Sequence, residues 1–262
     1  MHETALSQKG EPPMQNIRLV IQYDGTRYLG WQRPEKDGFS RSVSYKINEV
    51  LNHMTGETVV LRAGARTDPG VHALAQTVSF QTASSLEPEK FLNGLNQYLP
   101  RDIAVLSSER VPERFRADLN AISRTYEYRI CTQEIYDIFR MKYETHCFPA
   151  PDLPSMERAA SFLKGRHDFR CFSAGRKKKG TEKEITGICF ILDAERMLIR
   201  ITADDFLHRM PALIAGTLLE IGTGLRKPEC IPEIFSGTEK AGAPAEAKGL
   251  LLKSIQYDPF LT

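Results

Sequence analysis

The sequence predicts an α+β fold built as two similar α/β halves with antiparallel sheets. Three observations carry this reading. Segments with apolar residues at every second position recur in both halves. Segments with apolar residues at helical spacing separate them. The strand signals also fall in neighbouring pairs, as hairpins do, rather than alternating strictly with helices as in a parallel sheet.

The elements follow in order. Residues 1–15 read as a loose polar tail. Residues 17–23 alternate as a strand, and Asp24-Gly25-Thr26 is a turn signal. From Ser42 to Met54, apolar residues at Val43, Ile47, Val50, Leu51 and Met54 share one helical face, with Ser42 as N-cap. Residues 58–61 and 75–82 read as strands flanking a Gly/Ala/Arg/Pro-rich segment. Ser85 is the expected cap of a helix that ends at about Tyr98, before Pro100. Residues 103–107 and 125–131 are strands. A second half repeats the theme: a helix over 154–163, a hairpin of 184–193 with 197–202, a long apolar helix over 206–221, and a closing strand over 250–257. Pro211 lies inside that last helical stretch and predicts a kink. The domain reading is a tail over 1–15, an N-terminal subdomain over 16–110 and a C-terminal subdomain over 111–262.

Composition narrows the function classes. The chain has 262 residues, 41% hydrophobic and 26% charged, and a net charge of +2. That is an ordinary globular balance, and any nucleic-acid footprint has to be local rather than global. The five cysteines are scattered, with no C-x-x-C pair, so neither a zinc site nor a disulfide frame is expected. No stretch approaches the ~20 apolar residues of a membrane span, and the polar start argues against a signal peptide. The expected location is the cytoplasm.

One segment draws chemical interest: Gly64-Ala65-Arg66-Thr67-Asp68-Pro69-Gly70-Val71-His72-Ala73. It lies between two strands, where loops present functional groups. Asp68, two residues from Arg66, is placed to be an ionised carboxylate able to act as nucleophile or general base. Alone, Asp-Pro-Gly is usually only a turn.

It does not stand alone. With Tyr23-Asp24-Gly25-Thr26-Arg27-Tyr28-Leu29-Gly30-Trp31-Gln32-Arg33, Leu95-Asn96-Gln97-Tyr98-Leu99-Pro100, Ser123-Arg124-Thr125-Tyr126-Glu127-Tyr128, His167-Asp168-Phe169 and Phe206-Leu207-His208-Arg209-Met210, it forms an ordered series of blocks. In this order the blocks resemble the TruA family, the tRNA pseudouridine synthases that act on the anticodon stem-loop, from about Ile17 to Tyr257. The resemblance implies the pseudouridine synthase fold, with the two halves joined around a central cleft. It implies Asp68 as catalytic aspartate, Tyr126 as a tyrosine at the target base, and Arg66 as the arginine that holds the flipped nucleotide. It implies no cofactor, tRNA as partner, and a homodimer.

Softer candidates for RNA contacts are Arg27, Arg33, His72, Arg124, Arg209 and the basic run Arg176, Lys177, Lys178. Trp31 reads as core. His208, on the apolar helix, reads as a partly buried histidine. Against the family pattern, Ala65 stands for Gly, Pro69 for Ala, Asp118 for Arg, and Pro211-Ala212 for Val-Arg. The last change removes a basic partner of Asp68, which leaves Arg66 or another cation to keep it charged. The alternative reading is therefore a diverged relative that binds RNA at another target or without catalysis.

Overall fold

The computed structural model describes residues 14–34, 38–175 and 179–260. Its elements are β1 (Gln15–Tyr23), α1 (Val43–Thr55), β2 (Arg62–Ala63), β3 (His72–Thr82), α2 (Pro88–Tyr98), β4 (Ile103–Val111), β5 (Ala121–Cys131), β6 (Thr145–His146), α3 (Leu153–Leu163), β7 (Gly165–Asp168), β8 (Glu182–Leu192), β9 (Arg196–Ala203), α4 (Met210–Gly222), α5 (Cys230–Ser236) and β10 (Leu250–Tyr257).

One sheet runs through both halves of the chain, in the order β4-β1-β3-β10-β5-β9-β8-β7, with β2 beside β3 and β6 beside β5. Pairing is antiparallel except at β10–β3 and β5–β6. The last strand to be made therefore sits in the middle. β10 bridges β3 of the first half and β5 of the second, and the expected boundary at residues 110–111 falls in the last residues of β4, inside this one sheet.

Strand alternation explains the layering. Ile17 faces Phe80 and Leu19 faces Val78 across β1–β3, and Tyr126 faces Leu252 and Ile201 across its two neighbours. These side chains share one apolar face. Ile47 and Leu51 of α1, Phe91 and Leu95 of α2, and Met156, Ile214 and Ile231 of the later helices bury into the same continuous core. Elsewhere along the strands, charged residues pair across register, as Arg18 with Glu109 and Glu127 with Arg200.

Several sequence expectations shift. Residues 58–61 form no strand; Val60 is exposed, and the pairing passes to β2. The second helix is capped at Glu87 rather than Ser85, because Pro88, whose φ is already helical, takes the first turn. The long helix does not begin at Phe206 and is not kinked at Pro211. It begins at Met210, and Pro211 lies in its first turn, where a missing N–H costs nothing. The strand expected over 103–107 continues to Val111 because β1 pairs with it throughout. Ser42 does cap α1, accepting from Tyr45 N at 3.4 Å, and Trp31 is buried.

Phe91 is fully buried and meets Phe80 edge-on at 5.5 Å. Phe91→Ala is expected to cost ~3–5 kcal/mol, read as a lower urea midpoint with an unchanged slope.

Candidate active site

The segment between β2 and β3 is a loop whose backbone is tied down residue by residue. Gln76, fully buried in β3, places its side-chain amide against Ala65 as a neighbouring strand would. It accepts from Ala65 N at 3.2 Å and donates to Ala65 O at 2.7 Å. Arg124, from β5, donates from Nε to Gly64 O at 2.7 Å. The Tyr23 and Thr67 hydroxyls bond at 2.7 Å, and burial pushes the Tyr23 phenol up to about 12. Trp31 N donates to Thr67 O, and Gly70 N to Tyr28 O.

Asp68-Pro69-Gly70-Val71 is a closed turn. Val71 N donates to Asp68 O at 3.1 Å, and Gly70 has φ +78°. Proline second and a positive-φ glycine third is the arrangement a type II turn favours. Pro69 thus fits where it stands. Ala65 carries no strain either: among the described residues, Arg209 is the one non-glycine with positive φ. The opening motif is pressed against this loop. A Cβ on Gly30 (φ +96°) would come within 2.7 Å of Thr67 O, and one on Gly25 would fall on Val71 O.

The facing wall is the segment after β9. Arg124 also donates from Nη1 to Asp204 O at 2.5 Å, so one buried guanidinium ties both walls together. Asp205 lies 3.5 Å from Arg124 and 3.0 Å from Lys183. Between the walls, over the central strands, is a cleft of about 570 Å³ lined by Asp68, Arg66, Tyr126, Arg124, Asp118, Asp205, Phe206, His208 and Arg209.

Asp68 is mostly buried. Desolvation raises its carboxyl above the ordinary range, opposed by His208, by the charge and backbone N–H of Arg209, and by Arg33. His208 Nε2 lies 3.3 Å from Asp68 Oδ1. Arg209 is the N-cap of α4, so the carboxylate also meets the positive end of that helix. Arg66 is exposed, and its side chain makes no hydrogen bond or ion pair among the described residues. The basic groups beside Asp68 are therefore His208, Arg209 and Arg33, not Arg66. Ala212 and Asp68 share a smaller cavity of about 180 Å³.

Tyr126 is buried, with its ring edge-on to Phe206 at 5.1 Å. Burial is the main cause that holds its phenol far above the usual range, with Tyr23 and Asp68 adding to it. The hydroxyl makes no hydrogen bond among the described residues, so a neutral donor faces the cleft.

The remaining candidates separate. Arg209 and Arg124 line the cleft, but Arg124 is spent on the backbone. Arg33 donates to Leu29 O at 2.8 Å while its charge acts on Asp68. Arg27 pairs with Asp102 outside this cleft. His72 is buried: its Nδ1 accepts from Gly25 N at 3.0 Å, and its Nε2 lies 3.2 Å from Lys248 O. Burial holds its ring below the usual histidine range, so it is a neutral joint between segments. Arg176, Lys177 and Lys178 lie outside the described residues. Sequence reasoning passed over Gln76 and Asp205, and placed His208 wrongly. His208 is exposed and precedes the helix, because α4 starts two residues later. For Gln76 there was one signal, a polar residue in phase with the apolar Val78 and Phe80 of the same strand.

Two outcomes follow for stability. Gln76→Leu strands two buried backbone groups and is expected to cost about 3 kcal/mol by chemical denaturation. Asp68 has a raised folded-state pKa, so its contribution to stability is present at low pH and lost as pH rises through that pKa. Asp68→Asn is therefore expected to melt above wild type at neutral pH, with the gap closing below about pH 4.

A family model described as tRNA pseudouridine synthase matches residues 19–118 and 159–258. The tRNA pseudouridine synthase A 2 of Clostridium tetani is 39% identical over 246 residues, covering 93% of this chain and 99% of that one. That of Bacillus cereus is 38% identical over 247 residues, covering 93% and 100%. The tRNA pseudouridine synthase A of Ruminiclostridium cellulolyticum is 37% identical over 248 residues, again covering 93% and 100%. With a matched family model and relatives aligned end to end, this chain belongs to the tRNA pseudouridine synthases, a family of isomerases.

Proposed function

We propose that this protein isomerises uridine to pseudouridine in the anticodon stem-loop of tRNA, at one of positions 38–40, with Asp68 as the reacting carboxylate. The observation that carries this reading is a desolvated carboxylate, in a rigid loop, facing an unpartnered neutral tyrosine across a cleft of nucleoside size.

The reaction breaks the N1–C1′ bond, turns the base and forms a C5–C1′ bond. The proton lost from C5 is balanced by one gained at N1, so no redox partner is needed. Asp68 must be ionised to meet the ribose or the base, and its partly dehydrated state makes it more reactive than a solvated carboxylate. Tyr126 and Phe206 close over the base. Arg66, free at the rim, is suited to occupy the gap left by the flipped nucleotide or to pair with a phosphate. Arg209 and Arg33 supply further positive charge. With a net charge of only +2, RNA attraction rests on these local arginines. We place the action in the cytoplasm and the active species as a homodimer, on the strength of the family resemblance. Among the described residues no helix is long and apolar enough to cross a membrane.

The decisive experiment is incubation with unmodified tRNA, reading pseudouridine as carbodiimide-dependent primer stops. Wild type forms product, and Asp68→Ala forms none while still binding tRNA. Tight binding with no product from wild type would instead favour a non-catalytic RNA-binding relative. Tyr126→Phe is expected to slow single turnover about 100-fold with affinity retained. Arg66→Ala should weaken binding and lower the slope of log affinity against log salt by about one. The rate should fall on acidification through a pKa above the usual aspartate range, since protonating Asp68 removes the reactive form.

A further inference from the structure

Two independent features of the structure meet at one turn. Arg209 is the one non-glycine among the described residues in the left-handed region, at φ +61°. A residue without glycine's freedom is held there at a cost of order 1 kcal/mol. Such strain persists only where its surroundings over-determine it, and it gathers at functional sites. The residue before it, His208, makes the one ion pair of Asp68 among the described residues, at 3.3 Å. The His208 ring has no other partner among them, while its backbone is fixed because Ala174 N donates to His208 O at 3.1 Å. The main chain is thus locked, and the free ring is turned onto the carboxylate.

We propose that His208 is a positioning residue for Asp68: the strained turn at Arg209 aims its imidazole at one carboxylate oxygen, which orients the carboxylate in the cleft and keeps it ionised. This rests on the reading of Asp68 as the reacting group. The electrostatics agree. Of the charges that favour the ionised form of Asp68, His208 is the largest, ahead of Arg209 and Arg33. Ala212 is too short to reach the carboxylate with a charge, and Arg66 does not pair with it. The groups facing His208 across the cleft are Asp68 and Arg66 from the loop, Tyr126 and Arg124 from β5, and Asp118. Asp205 and Arg209 come from its own segment.

The test measures kcat and KM on unmodified tRNA across pH for wild type, His208→Gln, His208→Phe and Asp68→Ala. His208 is exposed, so both of its variants should fold; far-ultraviolet circular dichroism checks this. His208→Phe is expected to lower kcat about fivefold, the scale of a half-exposed ion pair, with KM little changed. Its acid limb should move to higher pH, because Asp68 has lost a cation. His208→Gln keeps a donor without the charge. It should recover most of kcat on the alkaline side and retain the shifted acid limb. If Asp68→Ala is inactive but both His208 variants keep the wild-type acid limb and kcat, the proposal is overturned while the function stands. A loss confined to KM overturns it too, making His208 an RNA contact only. An active Asp68→Ala removes the functional reading itself, and this proposal with it.

Discussion

A carboxylate withdrawn from water stays ionised only where positive charge and hydrogen-bond donors meet it. Much of the cleft's arrangement depends on that requirement at Asp68. The N-terminus of α4 is brought to the loop, Arg209 is bent into a left-handed conformation at its cap, and His208 is turned inward from an exposed position. Even so, desolvation prevails and the carboxyl remains above its ordinary range. The net result is a carboxyl dominated by burial rather than by its ion pair.

Such a balance needs a rigid frame, because a loop free to move would carry Asp68 out to solvent. The frame is made of polar side chains used as backbone. Gln76 stands in for a strand partner of Ala65. Arg124 reaches from β5 to both walls of the cleft, and His72 links the opening motif to the start of β10. These side chains are buried, and each bonds to the main chain. β10 underlies the whole assembly. As the strand between β3 and β5, it brings the Asp68 loop and Tyr126 onto one face, although they are far apart in sequence.

The departures from the family pattern look different once placed. Pro69 suits a turn that wants a proline second, and Ala65 needs no special backbone. The changes with physical consequence are at Ala212, which leaves space beside Asp68, and at Asp118, which puts an acid on the cleft wall. Asp118 is held below the usual carboxylate range, mainly by its Arg116 partner against the pull of burial. Two of the basic groups beside Asp68, His208 and Arg209, sit on the turn that opens α4.

The sequence by itself determined the alternation of the long strands, the amphipathic helices with Ser42 as cap, the burial of Trp31, and the ordered blocks that mark the family. These are local properties, set by periodicity, capping chemistry and residue type, and they survive without knowledge of neighbours. It did not determine that residues 58–61 lack a partner strand, that Pro211 opens a helix instead of breaking one, or that Arg124 and His72 serve the backbone. Nor did it reveal that His208, not Arg66, pairs with Asp68. Those were decided by the tertiary structure, because each depends on which groups long-range strand pairing brings within hydrogen-bond reach, and no period in the chain encodes that distance.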